Sequence, residues 1–150
     1  MLEKFKKFTV LPIQEKKLFI EAYLMLGVMR AAILTLSFKY LTRSLRQKLH
    51  QKPEALNEAQ SATASLVGSA ISRAAGVTPW ESACLVQSLT AQKMLQKRKV
   101  PGVFYLGVAK DDKSKEKMKA HAWTQCGELM VTGKSGHENF TVVSVFGWSA

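Results

Sequence analysis

The feature that most constrains this chain is a change of period at Pro101-Gly102. Upstream, apolar residues recur at three- and four-residue steps, as on a helix. Downstream they fall in short β-branched and aromatic runs, as in strands. Leu18, Ala22, Met25, Met29, Ala32, Leu36 and Tyr40 keep the helical step, and Ala59 to Ala75 forms a second helical stretch with Leu66, Val67 and Ile71 as its apolar face. Val103 to Val108, Ala120 to Cys126, Leu129 to Thr132 and Phe140 to Phe146 read as strands. Helices first and strands afterwards is the order of an α+β fold. At 150 residues the chain suits one domain with an appended segment. The expected division is a helical N-terminal segment, 1–55, and a core, 56–150.

The junction between the two regimes carries the chemistry. Thr78-Pro79-Trp80-Glu81 reads as a helix start: Thr78 as N-cap, Pro79 at the first helical position and Glu81 closing a capping box. Gly76 is the expected stop of the preceding helix. The new helix is expected to run to about Gln96, with Lys93, Lys97 and Arg98 at its C-terminal end. Cys84 then lies near the positive end of a helix macrodipole, which favours the thiolate, the nucleophilic form. The alternative is a small buried hydrophobe, the usual state of a free cysteine. His121, on a later strand, is the candidate imidazole.

Strand alternation divides the candidates. His121, Trp123 and Gln125 share one face; Ala122, Thr124 and Cys126 share the other. If His121 faces Cys84, Cys126 is turned away as a structural thiol. Gly127-Glu128 suits a two-residue type II′ hairpin. A simple register then sets Trp123 opposite Thr132, and Thr132 becomes a same-face neighbour of His121. Glu128, at the turn, is too far along the hairpin. On the helix, Trp80, Gln87 and Ser88 are expected to share the Cys84 face. The Cys84 backbone N–H with a Trp80 or Gln87 donor forms a candidate oxyanion hole, and Trp80 equally suits a packing role. Lys110 to Lys119, with five lysines, reads as a solvated loop, and Leu41 to Glu58 as a basic face or linker.

The net charge is +11, from 22 Lys+Arg against 11 Asp+Glu, which favours an acidic partner. Charge alone does not make a nucleic-acid binder, and no aromatic-interleaved basic motif accompanies it. The two cysteines form no metal-ligand spacing and no disulfide framework, and acyl transfer through a cysteine nucleophile needs neither a metal nor a cofactor. Met1 to Lys17 has no apolar core of secretory length, and a cytoplasmic location is the default. Leu18 to Tyr40 is apolar on several sides, yet Glu21, Arg30 and Lys39 interrupt it. It is expected to pack in the domain or on a partner, with a membrane-surface helix second and a membrane span excluded.

Pro79-Trp80 followed by Cys84-Leu85, then Tyr105-Leu106-Gly107-Val108, Ala120-His121-Ala122-Trp123 and Phe140-Thr141-Val142-Val143 resemble the lasso peptide maturation proteases. These are the leader-peptidase half of a split B protein, with a transglutaminase-like, papain-related fold. The resemblance implies a cysteine protease core, a Cys84 nucleophile and a His121 general base. Trp80, Gln87 and Trp123 are candidates to line the site. It implies a precursor peptide cleaved at its leader–core junction, a winged-helix-like leader-recognition protein and an ATP-dependent, asparagine-synthetase-like cyclase. It also implies an Asp after the histidine, but Val131-Thr132-Gly133-Lys134 holds no carboxylate. A backbone carbonyl, Thr132 or a group elsewhere is left to orient His121. The competing expectation is a non-catalytic transglutaminase-like scaffold of a peptide-maturation complex.

Overall fold

A computed structural model describes Lys6, residues 9–111 and residues 114–150, with the side chains of 111–117 excepted. Phe5 and Phe8, and the centre of the expected charged loop, lie outside the described residues. Among the described residues, four α-helices precede or flank a five-stranded sheet: α1 (Ile13–Thr35), α2 (Phe38–Leu41), β1 (Arg46–Gln47), α3 (Glu58–Ala75), α4 (Cys84–Lys97), β2 (Gly102–Asp111), β3 (Ser114–Cys126), β4 (Leu129–Thr132) and β5 (Thr141–Trp148). The strand order is β1-β5-β2-β3-β4, and every pairing is antiparallel. The architecture is α+β, as the change of period requires.

The first helical stretch is broken. Leu36 is extended, and Ser37 caps α2 by accepting from the Tyr40 N–H at 3.2 Å. The buried face of α1 is Ala22, Leu26 and Met29, so Leu36 and Tyr40, expected on that face, are exposed instead. Asn57 and Gln60 form the capping box of α3, and the helix stops at Gly76. Gly76 keeps a right-handed conformation, φ −72°, so it ends the helix without a left-handed turn.

One core joins everything. Ala22, Leu26 and Met29 of α1 pack with Val67 and Ile71 of α3, Leu89 and Met94 of α4, and Phe104 and Phe146 of the sheet. The basic stretch at 41–58 is more than a linker. It supplies β1, and the Gln51 side-chain amide donates to the carbonyls of Arg46 and Val145. The expected lysine-rich loop is largely strand: β2 continues to Asp111 and β3 begins at Ser114.

The helices cover the sheet face that carries Phe104, Thr124, Cys126 and Phe146. The Thr124 hydroxyl donates to the Ser88 carbonyl of α4 across 3.4 Å, and Phe104 stacks on Phe146 at 5.0 Å. Tyr105, His121 and Trp123 project from the other face, where Tyr105 and Trp123 stack at 5.4 Å.

Candidate active site

Cys84 is the first residue of α4, with Ala83 as N-cap. The expected start at Thr78 is corrected: the Thr78 hydroxyl is drawn to the carbonyls of Ala75 and Trp80 and the hydroxyl of Ser82, at 2.8–3.4 Å. Those bonds hold 78–83 in a compact loop that competes with the helix. Glu81 closes no capping box and lies 3.8 Å from Arg30 of α1. The indole of Trp80 packs edge-on to Tyr23, centroids 5.2 Å apart, and over Gly27, where a Cβ would come within 3.0 Å of the ring. Trp80 thus lies off the helix on which it was expected to flank Cys84.

Starting the helix five residues later moves Cys84 closer to its positive end. No side chain caps α4, and its first bond runs from the Gln87 N–H to the Ala83 carbonyl. The amides of Cys84, Leu85 and Val86 form the unbonded first turn that every helix leaves. Of the two side-chain donors expected near the thiol, the Gln87 amide is occupied on the Ser82 carbonyl at 2.8 Å. The Trp80 Nε1 is buried without a hydrogen-bond partner among the described residues. Cys84 is half-buried and free; Cys126 is free and fully buried, and burial pushes its thiol up to about 12.

Around His121 the sequence register is off by one. Gly127 takes φ +54° at the hairpin turn. Cys126 then pairs with Leu129, and Gln125 with Met130. Val131 is an extra residue, and Thr132 falls opposite Thr124, not Trp123. A one-residue shift exchanges the faces of a strand. Thr132 therefore looks toward α4, where its hydroxyl meets that of Ser88 at 3.1 Å in the buried core. It does not orient His121. The His121 Nε2 lies 2.7 Å from the Gly133 carbonyl oxygen, so a backbone carbonyl holds the ring. Gly133 has φ +71°, and a Cβ there would come within 2.7 Å of Trp123 Cβ. The signal for this acceptor was the glycine itself, which tolerates a left-handed turn beside a bulky strand. The imidazole also packs on Trp123 at 5.5 Å and Phe140 at 5.1 Å. Trp123 is buried and also contacts His137, at 5.6 Å.

Helix α4 lies on the Thr124 and Cys126 face, while His121 shares the opposite face with Trp123. Among the described residues, no hydrogen bond joins the thiol to the ring, and no group of three or more His, Cys, Asp or Glu is placed to hold a metal. Each half has its own support: the thiol a helix start, the ring a carbonyl acceptor and an aromatic bed.

No curated protein and no solved structure matches the chain. A family model described as the transglutaminase-like superfamily matches residues 22–145, from the buried face of α1 to the middle of β5. That span contains the helix that begins with Cys84 and the strand that carries His121, and the chain belongs to the transglutaminase-like superfamily.

Proposed function

We propose that this protein is a cysteine peptidase that removes the leader from a lasso peptide precursor. It acts beside a leader-recognition protein and an ATP-dependent cyclase in the cytoplasm. The observation that carries the reading is the half-buried Cys84 at the uncapped start of α4, in a chain of this superfamily. The Cys84 thiolate attacks the carbonyl at the leader–core junction, and first-turn amides hold the oxyanion. His121 protonates the departing core amine as the C–N bond breaks. Water then attacks the thioester, releasing the leader acid and restoring the thiol.

A second reading is favoured by the His121 ring, which is held by the Gly133 carbonyl and shares no hydrogen bond with the Cys84 thiol among the described residues: a non-catalytic scaffold that holds the precursor for other enzymes. One experiment divides the two. Candidate precursor peptides are incubated with the recognition protein and with wild-type, Cys84→Ala or His121→Ala protein, and products are read by mass spectrometry. The peptidase reading expects no cleavage by Cys84→Ala and a loss of about 10²–10⁴ in rate for His121→Ala. Cleavage by a folded Cys84→Ala protein overturns it. Cleavage that needs Cys84 but not His121 removes the imidazole from the mechanism. Precursor binding without cleavage by the wild type establishes the scaffold.

A further inference from the structure

Helix α1 is apolar on two sides, and only one is used. Ala22, Leu26 and Met29 enter the core, while Ile13, Ile20, Leu24, Val28 and Leu34 are each at least 50% exposed. The exposed set advances by three- and four-residue steps or their multiples, which makes one continuous stripe along the outer face. By length and composition the helix could cross a membrane. Its attachments argue for lying flat instead. Glu15 pairs with Arg73 at 3.6 Å, Glu21 with Arg98 and Lys97, and Arg30 with Glu81 at 3.8 Å. Together with the core residues, these pairs hold the inner face of α1 on the body of the protein along most of its length.

The charge around the stripe selects the occupant. Between Thr9 and Pro53 the chain has eight Lys and Arg and only two carboxylates, Glu15 and Glu21. Both carboxylates are spent in the ion pairs that face the body. Lys17, beside Ile13 and Ile20, and Lys39 and Arg43, just beyond the stripe, are exposed. Tyr40 of α2 is exposed with the Arg43 guanidinium 4.3 Å above its ring, an aromatic–cation pair suited to the headgroup level of a bilayer. A second copy of this chain would bring the same cations against themselves. The stripe itself is aliphatic, with the Tyr40–Arg43 pair at its end. An aliphatic stripe flanked by unopposed cations is the makeup of a helix that lies in the plane of an anionic membrane surface. We propose that the outer face of α1 docks this protein on anionic lipid, parallel to the surface and without crossing it.

The test is flotation of the full-length protein with phosphatidylcholine vesicles, with and without about 30% phosphatidylglycerol. The expected result is flotation with the anionic vesicles alone, reversed by high salt or alkaline carbonate. Leu24→Glu with Val28→Glu should weaken it about tenfold or more, with an unchanged circular dichroism spectrum. Leu24→Gln with Val28→Gln replaces that pair if the carboxylates disturb folding. Removing charge by Lys17→Ala, Lys39→Ala and Arg43→Ala together should weaken it by a similar factor. The proposal fails if the protein does not float, if it floats equally with neutral vesicles, or if folded stripe variants bind as the wild type does. Resistance to alkaline carbonate would make α1 a span and overturn it too. A dimer in ultracentrifugation that the stripe variants dissociate, without flotation, would assign the face to a second copy. None of these readouts depends on peptidase activity.

Discussion

The Nε2 of His121 lies 2.7 Å from the carbonyl oxygen of Gly133, where the chain leaves β4. That bond joins the imidazole to a backbone group, with no carboxylate between them. It depends on a left-handed residue, since Gly133 has φ +71°. Gly133→Ala should destabilise the fold by about 1–2 kcal/mol from backbone strain alone, with the Trp123 clash added. Chemical denaturation measures it, and the His121 imidazole resonances should shift in the folded variant. An unchanged midpoint together with unchanged His121 resonances would refute the described turn.

The two thiols should behave differently. Iodoacetamide at neutral pH should modify Cys84 in the native protein and leave Cys126 unmodified until the chain unfolds. Cys126 is sealed in the core and its thiol is pushed up to about 12, so little thiolate exists there even at pH 9. Peptide mapping of the alkylated protein reads the result. Equal labelling of both residues under native conditions would contradict the burial of Cys126.

Thr132 should matter through Ser88. The two hydroxyls meet at 3.1 Å in a buried setting, so Thr132→Val leaves the Ser88 hydroxyl without that partner. The expected cost is about 1–3 kcal/mol, the range for a stranded buried polar group. Ser88→Ala combined with Thr132→Val should recover part of it, because both partners are then gone. Denaturation of the two single variants and the double variant gives the coupling. Strict additivity would show that the pair is not a unit.

Acid should loosen α1 through Glu21. The Arg98 guanidinium bonded to its carboxylate holds Glu21 below the usual 4.5, against the opposing effect of burial, and Lys97 adds to the pull. A depressed carboxyl stabilises the fold above its unfolded pKa and stops doing so as pH falls through the folded value. Glu21→Gln should therefore be less stable than wild type at pH 7, by on the order of 1 kcal/mol. That difference should shrink below about pH 4.5 as the wild-type carboxyl protonates. Urea denaturation of both proteins at several pH values follows the closing gap. A difference that stays constant down to pH 2 would detach Glu21 from Arg98.

The sequence by itself determined the class of fold, because hydrophobic period is local: the change at Pro101-Gly102 separates the described α-helices from β2 to β5, while β1, two residues long and too short to show a period, lies upstream. It also determined that His121 and Cys126 point to opposite faces, since alternation along a strand depends on no partner. Gly76 and the Gly127 turn were legible for the same reason, as positions where the backbone itself ends or reverses an element. Tertiary structure decided the rest. The first residue of α4 moved from Pro79 to Cys84 because Trp80 seats against Tyr23 and Gly27 of α1, while the Thr78 hydroxyl closes a loop. The partner of His121 changed because one extra residue, Val131, shifts β4 and sends Thr132 to Ser88. Which face of the sheet receives α4, and hence on which side Cys84 and His121 stand, is set by core packing between residues far apart in sequence. Local pattern names the two residues; only the packing of α4 against β3 decides whether they meet.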